Sequence, residues 1–308
     1  MSQPLFTVVT ITYNSAPWVR QAIESVLASS FTDFEYIISD DCSTDNTWYI
    51  IQQYKDPRIK AWRNEVNIGE YPNRNKALKV ANGRYILYID GDDILYKHTL
   101  RNLCEYIKAF PEIVMIWGVS PEDVDYAVLP YAFNPNVTMR LIYETPFLYS
   151  SIGFSETLFS ISGLKRVGFF SEKYNIGDTY IKKRLALEGD VLFVPKGFSF
   201  WRRSEEQATR KVSKSYIGFI EGYKIDLEIL AISELPNKQD LVKKVKGSFL
   251  RRLIIYTILR GKFLIFFKLL RLSGITFSDL KYFFLKYDVS FKPVQSISQP
   301  IFNRYNFD

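Results

Sequence analysis

The 308-residue chain has one histidine, His98, and two cysteines, Cys42 and Cys104. A single histidine excludes metal sites built from histidines and a Ser-His-Asp triad. Two cysteines far apart give neither a disulfide framework nor a zinc pattern, and they suit a reducing compartment. No uninterrupted apolar run approaches the roughly 20 residues that a membrane span needs. The opening "MSQPLFTVVTITYN" lacks a basic leader region and a cleavage site, so no signal peptide is expected. These absences together predict a cytoplasmic protein. Internal repeats and low-complexity tracts are also missing.

What is present is the composition of a folded globular protein, with 47% hydrophobic and 24% charged residues. The length suits one large domain, or one domain with an appendage. The net charge of +7 is placed unevenly. Residues 241–290 hold 11 Lys/Arg against 2 Asp/Glu, while the rest of the chain holds 29 against 31. The basicity therefore belongs to one C-terminal segment, which points to a local partner such as an anionic membrane surface.

The first half alternates between two periodicities. "LFTVVTITY" (5–13), "FEYIISD" (34–40), "RIKAWRN" (58–64), "RYILYID" (84–90) and "EIVMIWG" (112–118) read as strands. Between them, 17–29, 44–55, 71–82 and 98–110 read as helices, the second with Thr44 or Ser43 as its N-cap. This alternation means βαβ units and a parallel sheet, its strands apolar on both faces and covered by helices. Residues 120–210 are less regular, with one clear helix, "DTYIKKRLALEG". Then 215–232 and the basic stretch 238–273 read as helical, and the end of the chain has no clear period.

Ligands on such sheets bind beyond the carboxyl ends of the strands. Three polar clusters stand at those ends: "TYN" (12–14), "DDCSTD" (40–45) and "DGDD" (90–93). Neighbouring carboxylates repel, so "DGDD" calls for compensation. By itself it is either a solvated turn, since Asp-Gly is a common turn dipeptide, or a site for a divalent cation. An EF-hand loop is excluded, because the fifth position from Asp90 is Ile94. In the second cluster, capping does not explain Asp40 and Asp41 at the strand end, where a carboxylate could accept from a nucleobase N–H or ribose hydroxyls. In "NIGEYPNRNKAL" (67–78), Arg74 is either solvated or paired with the Asp cluster or a phosphate.

In order and approximate spacing, "VVTITYNSAPWVRQAIESVLASSFTDFEYIISDDCSTDNT" and "NIGEYPNRNKALKVANGRYILYIDGDD" resemble the family 2 glycosyltransferases. The likeness is dense over 5–110 and loose over 150–205. It implies a GT-A fold: an α/β, Rossmann-like, mostly parallel sheet flanked by helices, here with a C-terminal helical extension. The expected layout is a catalytic domain over 1–212, a basic helical region over 213–290 and an irregular tail over 291–308. The resemblance also implies inverting transfer from a nucleotide-sugar donor, UDP being the commonest, with Mn²⁺ or Mg²⁺. Carried over by position, Asp92 is the DXD carboxylate nearest the metal, and Asp90 is the first Asp of that motif. Asp41 would hold the base, with Thr12, Tyr13 and Asn14 lining the nucleotide pocket. Asp178 stands where the family has its catalytic base, although Gly177 replaces the usual Glu before it, and Asp178 could equally cap its helix. Glu156 and Glu172 are weaker candidates for that role. Arg74, Arg202 and Arg203 could contact the donor or be solvated.

The implied product is a bacterial cell-surface polysaccharide or glycolipid, made on a saccharide or lipid-linked saccharide acceptor. The segment 243–272 is either a helical pair packed on the catalytic domain or an interfacial helix on anionic lipid, which would make the protein peripheral on the inner face of the membrane. The competing function is a non-catalytic nucleotide-sugar-binding protein on the same fold. No nucleic-acid motif accompanies the basic segment, so no nucleic-acid partner is expected. His98 reads as a surface or cap residue.

Overall fold

The computed structural model describes residues 3–120, 129–144, 152–202 and 216–285. The N-terminal half runs β1 (Phe6–Thr12), α1 (Val19–Leu27), β2 (Phe34–Asp40), α2 (Thr47–Ile51), β3 (Ile59–Arg63), α3 (Glu70–Val80), β4 (Tyr85–Tyr88), β5 (Ile94–Leu95) and α4 (Thr99–Ala109). Then come β6 (Met115–Val119), β7 (Tyr131–Phe133), α5 (Pro135–Glu144), β8 (Thr157–Ser160), α6 (Ile161–Val167), α7 (Gly177–Leu185), β9 (Val191–Pro195) and β10 (Ser199–Phe200). The chain continues through α8 (Ile217–Ile232), α9 (Lys238–Tyr256) and α10 (Phe263–Ser273), with 3₁₀ turns at Ile258–Arg260 and Phe277–Phe284.

Eight strands form one sheet in the order β3-β2-β1-β4-β8-β6-β9-β7. β1 pairs in parallel with β2 and β4, β2 with β3, and β6 with β9. β8 enters antiparallel between β4 and β6, and β7 closes the far edge antiparallel to β9. The central strands β1, β2, β4 and β6 are almost wholly buried, as near-continuous apolar runs with helices on both faces require. β3 departs from that expectation: it is an edge strand with Lys60, Ala61 and Arg63 exposed. One core cluster lies on each face of the sheet. One is built around Tyr36, Phe6 and Leu103, and the other around Trp117, Phe159 and Phe193.

Two helices differ from the sequence expectation. The predicted helix 44–55 shrinks to Thr47–Ile51, because the residues before it are spent on tying loops together. Asp45 accepts from the amides of Thr47 and Ala16, while Thr44 donates through its amide and hydroxyl to Asn14 Oδ1. Neither Thr44 nor Ser43 caps the helix. The basic stretch 238–273 is not one helix either. It breaks over 257–262, where α9 has ended at Tyr256 and a 3₁₀ turn closes on Gly261 at φ 70°, a conformation natural to glycine. The first piece, α9, buries Leu241, Val245, Phe249, Leu250 and Leu253. Together with α8 it joins the same core cluster as Trp117 and Phe159. Residues 243–256 therefore pack one face against the body, as the first of the two alternatives for 243–272 expects.

Glu35 shows how β1, β2, β3 and the turn after α3 are pinned together. Its carboxylate accepts from Thr7 Oγ1 at 2.7 Å, the Asn82 amide, Asn82 Nδ2 and Lys60 Nζ at 2.7 Å. Burial pushes its pKa up, but these donors outweigh burial and hold it below 4.5. A depressed carboxylate contributes stability above its unfolded-state pKa and loses it as pH falls through the folded value. Glu35→Gln is expected to lower the unfolding free energy by about 1–2 kcal/mol at pH 7. The gap from wild type should narrow as pH falls below about 4.5, as denaturation at a series of pH values would read.

Candidate functional site

The carboxyl ends of β1, β2 and β4 converge, and the loops that leave them are stapled together. Asp40 is fully buried and accepts from Thr12 Oγ1, the Ser43 amide and the Ser43 hydroxyl, with Arg63 at 3.5 Å. Asn14 adopts φ 51°, and its amide donates to Ser43 Oγ at 2.9 Å. Its side chain accepts from Thr44. Thr12 and Asn14 thus use their side chains to bind the β1 and β2 loops together, whereas Tyr13 between them projects into solvent. Asp41 is buried and accepts from Asn64 Nδ2, the Ile68 amide and the Gly69 amide at 2.8–2.9 Å. It holds the "NIG" turn in which Gly69 takes φ 91°. Three donors leave room for one more at a carboxylate with about four acceptor directions.

The "DGDD" turn leaves β4 and is locked against β1. The Gly91 amide donates to Ile11 O, and a Cβ at Gly91 would come within 2.9 Å of the Thr12 methyl and 3.0 Å of Ser15 Oγ. Only glycine allows that approach. Asp90 pairs with Arg74 at 2.8 Å. The Arg74 side chain is almost fully buried, with its guanidinium 4.3 Å from the Phe154 ring centroid and 5.2 Å from that of Tyr88. It also bonds Glu70 Oε1 at 3.0 Å, while its Nη1 lacks a hydrogen-bond partner. Arg74 therefore pairs with the Asp cluster and is not solvated. Asp93 lies buried beneath, accepting from the Arg202 amide. Burial first, then Asp90 and Asp92, push its pKa up to about 8. The Arg202 side chain donates to Asp92 O and to Gln21, and packs 4.2 Å from the Trp18 ring centroid. Arg203 lies outside the described residues.

Asp178, in the first turn of α7, is tied to the same helix α3 that carries Arg74. Helix α7 has Ile176 as its N-cap with no side-chain capping bond, so Asp178 is not spent as a cap. Its carboxylate accepts from the Tyr71 hydroxyl at 3.3 Å and lies 3.7 Å from Lys182 Nζ. A cavity of about 320 Å³, walled by α7, α8 and Arg252, opens beside it. Glu70 feels the charges of Arg74, Asp90 and Asp178 at once. Burial raises its pKa, Arg74 opposes that, and the two aspartates add to it. The structure therefore gathers Asp90, Arg74, Glu70, Tyr71 and Asp178 around one crevice. Sequence reading missed Glu70 and Tyr71. The Glu70–Arg74 spacing of four, which puts both on one helix face, was the available signal.

Glu156 and Glu172 do other work. Glu156 accepts from the amides of Gly197, Phe198 and Ser199 and so fixes the turn before β10. Glu172 accepts from Asn75. His98 takes the N-cap position of α4 without a side-chain capping bond, and its ring hydrogen-bonds Ser30.

A divalent cation at the turn after β4 would find carboxylate oxygens, the donors that Mg²⁺ and Mn²⁺ prefer, on Asp90 and Asp92. Among the described residues no group of three His, Cys, Asp or Glu is placed to hold an ion. Two protein carboxylates suit a cation that completes its shell with substrate phosphate and water.

Comparison with known proteins agrees with this architecture. The putative teichuronic acid biosynthesis glycosyltransferase TuaG of Bacillus subtilis is 42% identical over 107 residues, which are 34% of this chain and 42% of that protein. The chain thus spans less than half the length of that relative. The Staphylococcus aureus TarS 1–349 structure in complex with UDP-GlcNAc superposes with a TM-score of 0.65 at 20% identity, covering 90% of this chain and 78% of that one. The mannosyltransferase PcManGT of Pyrobaculum calidifontis, in complex with GDP-Man and Mn²⁺, gives 0.60 at 16% identity, covering 81% and 70%. At such identities the two structures establish the shared fold. The model of glycosyl transferase family 2 matches residues 7–163, just over half of the sequence, and the chain belongs to that family.

Proposed function

We propose that the protein is an inverting glycosyltransferase that moves a sugar from a nucleoside diphosphate sugar, most simply a UDP-sugar, to a hydroxyl of a saccharide or lipid-linked saccharide in bacterial cell-surface polymer synthesis. The observation that carries this reading is that α3 holds two carboxylates at once: Arg74 pairs with Asp90, and Tyr71 donates to Asp178, which lines a cavity and does not cap its helix. TuaG is named for teichuronic acid biosynthesis, and TarS was solved with UDP-GlcNAc, which supports the donor and product class.

Asp92 and Asp90 would hold the divalent cation, Mn²⁺ or Mg²⁺, in the manner of a DXD motif. When bound, it would offset the charge that grows on the departing diphosphate. Arg74 fixes the orientation of Asp90, and Asp41 with the "NIG" turn offers its remaining acceptor direction to a nucleobase N–H. Tyr13, at the exposed lip, and Arg202, beside the DXD turn, border the donor. Thr12 and Asn14 act one step removed, by holding the loops that form the pocket.

Asp178 accepts the proton of the acceptor hydroxyl as that oxygen attacks the anomeric carbon. The bond to the acceptor oxygen forms while the bond to the diphosphate oxygen breaks, on opposite faces, so the configuration inverts. Tyr71 and Lys182 orient the Asp178 carboxylate for this transfer. The cavity between α7 and α8 is the acceptor side. By role, residues 1–212 form the catalytic part and the helices described within 213–290 complete the acceptor wall, while 286–308, the tail included, lie outside the described residues.

A thermal-denaturation screen of nucleotide sugars with and without Mn²⁺ tests the reading. A true donor at about 100 times its Kd should raise Tm by about 5 °C, and only with metal present. No shift with any UDP-, GDP- or dTDP-sugar would refute it.

A further inference from the structure

The break over 257–262 leaves α10 facing outward in an unusual way. Leu269 and Ser273 are buried, and Ile265, Phe266 and Leu270 pack against the core. The opposite stripe, at the i, i+3, i+4 spacing of one helix face, is Phe263, Leu264, Phe267, Lys268, Arg271 and Leu272. Leu264 is 88% exposed, Phe267 64% and Phe263 57%. The turn before the helix adds Leu259 at 73%, with Arg260 and Lys262 beside it. An ordinary surface helix turns its apolar face inward and its charges outward. Here the outward stripe carries large apolar side chains interleaved with basic ones. From residue 241 to 285 the sequence has a single acidic residue, Asp279, which is buried and paired with Lys246.

We propose that the face formed by Leu259–Leu272 docks on an anionic lipid bilayer, with Leu259, Phe263, Leu264 and Phe267 entering the headgroup boundary and Arg260, Lys262, Lys268 and Arg271 meeting lipid phosphates. Interfacial helices combine an apolar stripe with flanking Lys/Arg in this way. No helix among the described residues is long and apolar enough to cross a membrane, so the contact lies on the surface.

The position of this face has a consequence for the reaction. Phe219 lines the cavity beside Asp178, and Tyr256 packs edge-on against it with centroids 6.0 Å apart. Arg260 stacks on Tyr256, and Lys262 donates to the Tyr216 hydroxyl at 3.2 Å. The cavity wall thus leads into the lipid-facing surface. Docking would bring the cavity to acceptors anchored in the bilayer. That last step rests on the transferase reading above, whereas lipid docking does not.

The test is co-sedimentation of the full chain, without donor, with vesicles of phosphatidylcholine alone and of phosphatidylcholine with 30% phosphatidylglycerol. Binding is expected on the anionic vesicles and should weaken with salt. Near an anionic surface each basic residue contributes about fivefold in partitioning. The double variant Lys268→Gln/Arg271→Gln should therefore lose about 25-fold. Leu264→Ser/Phe267→Ser should lose at least about tenfold, and both variants should keep wild-type thermal stability because all four side chains are exposed. Absence of wild-type binding, equal binding to both vesicle types, or unaltered binding by both variants would overturn the proposal. So would a lipid-free dimer in sedimentation velocity that Leu264→Ser/Phe267→Ser dissolves, which would make the face a contact between copies. Failure of the donor screen would leave these outcomes untouched.

Discussion

Asp178→Asn is expected to reduce turnover about 1,000-fold while leaving metal-dependent donor binding within about twofold of wild type. The substitution preserves shape and removes the capacity to take a proton, together with the charge that buried Lys182 faces at 3.7 Å. Asp178 does not cap its helix, so its loss should not fray α7. Its contacts, the Tyr71 hydroxyl at 3.3 Å and Lys182 Nζ at 3.7 Å, are long enough for an amide to be accommodated. The loss should therefore fall on the chemical step. Single-turnover transfer and equilibrium donor binding, measured on the same preparation, separate the two. Near-normal turnover would remove Asp178 as the base.

Arg74→Gln is expected to act on both stability and donor binding. Arg74 pairs with both Asp90 and Glu70, and its side chain is 3% exposed. Removing one partner of a buried pair costs about 3–5 kcal/mol, because the other charge is left unpaired. Asp90 and Glu70 are 37% and 40% exposed, so water screens part of that loss, and about 2–3 kcal/mol is the better expectation. Burial already raises the Glu70 pKa, and without Arg74, which opposes that rise, it should move further up. Asp90 would lose its fixed orientation, and donor affinity should fall at least tenfold. Arg74→Lys should recover part of the stability but less of the binding. An ammonium keeps the charge but not the two-pronged bond or the stacking on Phe154. Urea denaturation together with donor titration reads both effects. A stable Arg74→Gln protein with unchanged affinity would show that the pairing is incidental.

The sheet was legible because its strands are continuous apolar runs. Phe34–Asp40 matched to the residue, and β1 to within one at each end. The antiparallel insertion of β8 between β4 and β6 was not legible, since strand order is a matter of tertiary pairing that no local pattern encodes. The polar clusters announced the site, but not how its members divide the work. Thr12, Asn14 and Asp40 look like ligand-binding groups in sequence. In the fold Thr12 donates to Asp40 and Asn14 pairs with Ser43 and Thr44, because polar groups buried at strand ends must find partners. Glu70 was hidden by its ordinary place at the start of a helix. The basic C-terminal stretch read as one segment, yet the break over 257–262 splits it into a helix that belongs to the core and one that turns apolar side chains outward.

The most direct test of the central claim is calorimetric titration of the stabilising nucleotide sugar into wild type, Asp92→Asn and Asp178→Asn, each with and without Mn²⁺. Wild type and Asp178→Asn should bind with similar Kd, and both should need the metal. Asp92→Asn should bind at least tenfold more weakly and lose its response to metal. Equal metal-dependent binding by Asp92→Asn, or loss of binding in Asp178→Asn, would contradict the assignment of the two carboxylates to donor and acceptor sides.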